Sequence, residues 1–281
     1  MKPVADVLGV ARSNLVEQLQ SKEKKAPAPA PRGPEADAAL LTRIRSIVDA
    51  RGSYGYRRVT RLLARKLDAE SAPRVNHKRV YRVMRANGLL LSRYTGKSTR
   101  THDGVIITLK SNLRWCSDAF EVRCWNGERV QVAFSLDCCD REAMKWVATT
   151  AAITGEMIRD LMAESLEHRF GAGVTRVPHS VEWLSDNGPP YTANETRAFG
   201  ESLGFLVCTT PAYSPESNGM AESFVKTFKR DYVYLNKLET AATVLAQLGT
   251  WFDDYNEVHP HSGLRMQSPR EYRRAHMGSK R

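Results

Sequence analysis

Apolar and polar residues follow two different periods along this chain, and the change falls near residue 110. Between residues 37 and 90 the pattern predicts three short helices, at about 37–50, 56–67 and 76–87. The third is the most clearly bounded: Asn76 can cap its start and Gly88 can end it. On an ideal helix Lys78, Arg82 and Arg85 share one face, while Val80, Val83, Met84 and Asn87 lie opposite. Such a helix docks by its apolar side and offers cations to solvent. Three short helices with a basic last member suit a helix-turn-helix module.

From residue 113 the pattern becomes that of strands, at 113–123, 129–137 and 143–150. Asn126-Gly127, between the first two, is a strong hairpin turn signal. A helix at 155–170, a strand at 181–185, a helix at 192–203 and a strand at 205–208 follow. After the turn-rich stretch from Pro211 to Gly219 come helices at about 218–232 and 240–256. Three strands followed by alternating helices and strands make an α/β domain with a mixed sheet. The expected organisation starts with a short helical remnant at 1–21 and a Pro/Ala linker at 22–36 that cannot pack. A basic helical module at 37–91, a polar linker at 92–110, the α/β domain at 111–235 and a helical extension at 236–281 complete it.

Charge divides along the same line. The 281 residues carry a net +11, but residues 1–110 hold 23 basic against 9 acidic side chains, a net +14, and the remainder carries −3. The first part is therefore expected to bind phosphates, through Arg57, Arg58, Arg61 and Arg65 on the second helix and Lys78, Arg79, Arg82 and Arg85 on the third. A solvated surface would show the same stripes. A hydrophobic content of 42% excludes wholesale disorder. No apolar run approaches the roughly 18–20 residues of a membrane span. Asp6 stands where a signal peptide needs an apolar core, so export is not expected. The five cysteines show no zinc-site spacing and read as free thiols in a reducing compartment.

Three acids stand where such a fold exposes ligand sites. Asp118 lies within a strand, Asp186 at the carboxyl end of another, and Glu222 one turn into a helix. Carboxylates are hard oxygen ligands suited to Mg²⁺ or Mn²⁺, and a pair of such ions serves phosphodiester attack. Each acid also has a plainer reading. Asp186-Asn187-Gly188 is a turn sequence, Glu222 with Lys226 an ordinary helix pair, and Asp118 could pair with an arginine. Glu182 and Glu216 offer other combinations.

The segments Trp115-Cys-Ser-Asp118, Ser185-Asp186-Asn187-Gly188 and Ser214-Pro215-Glu-Ser-Asn218-Gly219-Met-Ala-Glu222 together resemble the DDE core of retroviral integrases and insertion-sequence transposases. The 35 residues between Asp186 and Glu222, and Lys229 seven residues further on, match that pattern. Tyr255-Asn-Glu-Val-His-Pro-His-Ser-Gly-Leu264 is similar to the motif that follows the core, although His259 stands where the family usually carries arginine. The pattern resembles second-frame (OrfB) products of the insertion-sequence-three family, in the insertion-sequence-two subgroup. The resemblance implies an RNase H-like core and two Mg²⁺, with Mn²⁺ as substitute, held by Asp118, Asp186 and Glu222. It implies strand cleavage followed by transfer of a 3′-OH. Lys226 and Lys229, within about 40° of Glu222 around the helix, would hold phosphates. Asn187 and Asn218 would support the site or touch DNA. Implied partners are element ends and target DNA, the first-frame product OrfA or a frameshift fusion with it, and further copies of the chain. The implied location is the bacterial cytoplasm, at the nucleoid. Competing readings are a non-catalytic DNA-binding regulator and an RNase H-type nuclease.

Overall fold

The structure, a computed structural model, describes residues 34–92, 108–210 and 218–277. The remnant before residue 21, most of both linkers and the Pro211–Ser217 turn lie outside the described residues.

The first three helices are α1 (Pro34–Ala50), α2 (Tyr56–Ala69) and α3 (His77–Ala86). Helix α1 begins three residues inside the stretch expected as linker, since proline is tolerated in a first helical turn. Asn76 caps α3 by accepting from the Lys78 N–H, and Gly88 follows it at φ +67°. Leu40, Ile44 and Ile47 pack with Val59, Leu63 and Leu67 and with Val80, Val83 and Met84 into a closed core.

The second part is a five-stranded mixed sheet in the order β3-β2-β1-β4-β5. Its strands are β1 (Arg114–Arg123), β2 (Arg129–Asp137), β3 (Ala143–Thr149), β4 (Val181–Ser185) and β5 (Phe205–Thr209). The pairs β1–β2 and β2–β3 are antiparallel, while β1–β4 and β4–β5 are parallel. Gly127 turns the first hairpin at φ +89°, where a left-handed residue is required. This is the RNase H-like mixed sheet that the sequence implied.

Helices cover both faces, because alternate strand residues are apolar on both sides. On one face α4 (Gly155–Phe170) and α6 (Asn194–Ser202) cover Trp115, Trp183 and Phe205. The helix expected at 192–203 is α6, which starts at Asn194, and a separate four-residue helix, α5 (Pro189–Thr192), precedes it. On the other face lie α7 (Gly219–Asp231) and α8 (Ala241–Glu257), with Phe224 4.4 Å from Phe134 and Phe228 4.6 Å from Phe252 between ring centroids. Helix α9 (Pro269–Met277) ends the described chain.

The motif after the core is packing. Asn256 accepts from the Ala143 N–H and donates to the Ala143 carbonyl, sealing the start of β3. Beyond β2, Arg169 donates to both oxygens of Asp140 at 2.9 Å with both side chains fully buried. Burial would raise the Glu142 pKa, but His168, Arg169, Arg273 and Arg270 hold it well below the usual carboxylate range. Asp137 and Asp140 are therefore structural, and this network anchors α9 to the sheet.

The helical module docks on the sheet domain through arginines. Arg51 donates to Asp254 at 2.6 Å, Arg58 to Asp231 at 2.9 Å and Arg65 to Glu271 at 2.5 Å. Between them the Tyr54 hydroxyl meets His259 Nδ1 at 2.9 Å, in a position closed to solvent. His259 also stacks on Tyr255, whose hydroxyl lies 2.9 Å from His261 Nε2.

Burial holds the His259 pKa well below 6.5, and Arg58, His261, Arg230 and Arg51 add to the effect. Asp231, 3.7 Å away, is already paired with Arg58 and Arg230, so it does not reverse it. Burial, with Arg141 and Arg58 nearby, pushes His261 down to about 3. Both groups take up a proton on unfolding once the pH falls below about 6.5, so the stability they allow is complete above that value and declines below it. For His259 alone the decline approaches about 1.4 kcal/mol per pH unit. Denaturant midpoints measured from pH 7 to pH 5 should fall, and His259→Asn should flatten the fall. An unchanged slope in that variant would exclude this origin.

Candidate active site

The register of the sheet brings two of the three acids together. In the parallel pair, Trp115 lies beside Trp183 and Cys116 beside Leu184. Two residues beyond this last pair come Asp118, still within β1, and Asp186, one residue past the end of β4, and continued alternation would put both on one face. It is the face of Cys116 and Phe120, which α7 and α8 cover. Glu222 lies in the first turn of α7, where a negative charge suits the helix dipole. The buried residues Ala221, Phe224 and Phe228 fix that helix on the sheet and leave Glu222 at its flank.

Electrostatics links the three acids. Burial pushes the Asp118 carboxyl up to about 6, the Ala119 N–H opposes the rise, and the charges of Asp186 and Glu222 add to it. Asp118 Oδ1 accepts from the Ala119 N–H at 2.8 Å. Asp186 Oδ1 accepts from the Gly188 N–H at 3.0 Å. Glu222 reaches Lys226 at 3.6 Å, so the ordinary helix pair exists as well. Among the described residues no three His, Cys, Asp or Glu side chains stand close enough to hold one ion as they are. The donor set nevertheless fits a hard divalent cation: only carboxylate oxygens, mutually repelling, around a partly buried member. Glu222 would have to exchange Lys226 for the ion.

The remaining expected residues fall into two groups. Lys229 lies over the Phe120 ring, 5.6 Å from its centroid, and is directed at β1. Asn187 donates to the Thr210 carbonyl at 2.9 Å, and Asn218 to the Ser117 carbonyl at 3.2 Å. Lys78, Arg82 and Arg85 form an exposed row on α3, and exposed Arg57 stacks over Tyr56. Arg58 turns inward to Asp231, and Arg79 bonds Asp37 at 2.9 Å. These two arginines serve internal pairs here, and Arg82 of the exposed row also approaches Asp37, at 3.9 Å.

Two residues had no sequence signal. The buried Ser117 hydroxyl donates to the Phe134 carbonyl at 2.8 Å and meets the buried Tyr191 hydroxyl at 3.1 Å. Only the proximity of Ser117 to Asp118 and of Tyr191 to Asp186 could have marked them.

Comparison with known proteins bears on the family and the fold. A model described as an HTH-like domain matches residues 35–98, and integrase core domain models match 109–215 and 206–269. Fold and site thus define an integrase-core protein with a helix-turn-helix-like module in front. Transposase InsD for insertion element IS2A/D/F/H/I/K of Escherichia coli is 49% identical over 240 residues, 85% of this chain and 79% of that protein. InsD for IS2-9 of strain K12 is 49% identical over 85% of this chain and 78% of its own length. The chain belongs to this family, the insertion-sequence-three transposases. Among solved structures, a simian T-cell lymphotropic virus intasome aligns over 83% of this chain and 73% of its own, at 15% identity and TM-score 0.48. The catalytic domain of Mos1 mariner transposase aligns over 59% and 82%, at 15% identity and TM-score 0.42.

A carboxylate whose pKa is raised on folding costs stability at neutral pH, where it must ionise. Asp118, raised to about 6, should cost roughly 1–3 kcal/mol. Asp118→Asn should therefore melt higher than the parent protein at pH 7 in chelator. An equal or lower melting temperature would contradict the repulsion described here.

Proposed function

We propose that this chain is a DNA transposase that cleaves and joins phosphodiester bonds at the ends of an insertion element, with Asp118, Asp186 and Glu222 as its metal ligands. The observation that carries the reading is that the charges of Asp186 and Glu222 reach the partly buried Asp118, in a chain 49% identical to an insertion-element transposase. The three acids would hold two Mg²⁺, or Mn²⁺. Bound there, the ions would supply Lewis-acid activation of the attacking oxygen and charge neutralisation at the leaving one. Water is the attacking group in the first step, which exposes a 3′-OH. That hydroxyl attacks a second phosphodiester, with no covalent protein intermediate. Lys226 and Lys229 hold phosphates beside the acids and stabilise developing charge.

The exposed face of α3 grips duplex DNA through Lys78, Arg82 and Arg85, with Arg57 at its margin. Arg58 and Arg79 contribute by holding the helices in place. Asn187 steadies the turn that carries Asp186, and Asn218 the start of the helix that carries Glu222. Joining two ends requires more than one copy, and specific end recognition requires the first-frame product or a fusion with it. Activity is placed in the bacterial cytoplasm, at the nucleoid. Among the described residues no helix is long and apolar enough to cross a membrane.

Strand transfer on labelled element ends with Mg²⁺ and the first-frame product tests the reading. Glu222→Gln should lower the rate by at least about 100-fold with end binding retained. Wild-type protein that binds ends without cutting or joining them would favour a regulator. Hydrolysis of RNA–DNA hybrids without joining would favour a nuclease. Specific end cleavage by the purified chain alone would overturn the partner requirement.

Arg82→Ala with Arg85→Ala should weaken duplex binding and flatten its log–log salt dependence by roughly one unit per lost phosphate contact. Arg58→Ala should instead lower the melting temperature. Equal salt slopes in the double variant and the parent would remove α3 from the DNA surface.

A further inference from the structure

We propose that Ser117 is a hub that sets the spacing of the three carboxylates, with Tyr191 and Asn218 as its positioning arms. This rests on the metal-site reading above and adds to it residues that touch no ion.

The backbone alone does not fix Asp118 relative to Asp186. The β1–β4 register ends at Cys116 and Leu184, two residues short of either acid. Asp186 lies past the end of β4. Beyond that point the Tyr191–Ser117 contact ties α5, which follows Asp186, to β1. Ser117 donates its single hydroxyl proton to the Phe134 carbonyl at 2.8 Å, so Tyr191 is the donor in the 3.1 Å contact. The resulting chain runs from Tyr191 through Ser117 to the Phe134 carbonyl. It ties the turn after Asp186 to the residue before Asp118, and both to β2. Ser117 is fully buried and Tyr191 only 4% exposed, so water does not compete for these bonds.

The Ser117 carbonyl does the same for the third acid. It accepts from Asn218 Nδ2 at 3.2 Å. Asn218 is buried and stands at the N-cap of α7, one turn before Glu222. Asp118 follows Ser117 in the chain, Tyr191 lies five residues after Asp186, and Asn218 four before Glu222. One residue thus links all three ligands by short covalent and hydrogen-bonded paths. Mg²⁺ demands near-ideal octahedral geometry, so loosening this hub should harm Mg²⁺ binding more than Mn²⁺ binding.

The test uses the full chain with Tyr191→Phe, which keeps the ring and removes only the hydroxyl, and Ser117→Ala as a second variant. Mg²⁺ and Mn²⁺ affinities are measured by calorimetry, Mn²⁺ also by paramagnetic resonance, alongside melting curves and strand transfer. Loss of supporting contacts behind a metal ligand typically weakens affinity about 10- to 100-fold. Tyr191→Phe should weaken Mg²⁺ binding by roughly tenfold and Mn²⁺ binding less. Mn²⁺ should restore its strand transfer, with melting close to the parent. Unchanged Mg²⁺ affinity and Mg²⁺/Mn²⁺ preference in both variants would overturn the hub. Asp118→Asn separates the two levels. If it abolishes metal binding and Tyr191→Phe does not alter it, the hub falls and the metal site stands. If Asp118→Asn binds metal like the parent, both fall.

Discussion

The site depends on β1 pairing in two directions at once, antiparallel to β2 and parallel to β4. The antiparallel side makes β1 an interior strand, so a carboxylate at its middle is partly buried. The parallel side brings the end of β4 alongside, about 4.8 Å away in a regular sheet. The register carries the two strands to within two residues of both carboxylates, and the contacts beyond it bring the like charges together. Nothing local favours this arrangement: burial and the neighbouring acids both resist ionisation of Asp118. The arrangement persists because distant packing determines it. Phe120, Phe134, Phe224, Phe228 and Phe252 lock α7 and α8 onto the sheet, and their burial does not depend on the acids.

This division of labour explains what could be read from the sequence. Strand and helix periods, the Asn126-Gly127 turn and the Asn76 cap depend on neighbours in the chain, and the structure shows each of them. The gathering of Asp118 and Asp186 was legible because strand ends and loop entries follow from the same periods. The partners of the arginines were not legible. A basic helix face reads the same whether the opposite charge is a phosphate or a carboxylate. Arg51, Arg58 and Arg65 meet acids 203, 173 and 206 residues away, and no local pattern encodes that. The short helix before α6 has a local cause, since Pro189 and Pro190 start a separate turn. Ser117 and Tyr191 carry no distinctive spacing, and their roles arise only from the fold.

The charge division takes on a different meaning with these pairs in view. An excess of +14 before residue 111 beside −3 after it looks like a DNA-binding part followed by a neutral one. Part of that excess is neutralised inside the protein. Asp231, Asp254 and Glu271 face the arginines of the helical module across a buried seam that also holds Tyr54 and His259. Pairs of this kind contribute little net stability, because each charge loses water. Their effect is on orientation, since breaking one leaves an uncompensated buried charge. The acids of the core therefore serve two ends. At the sheet face, burial and the neighbouring acids resist ionisation of Asp118. Those at the seam are matched by arginines, and the match fixes where the exposed row of α3 lies relative to the carboxylates.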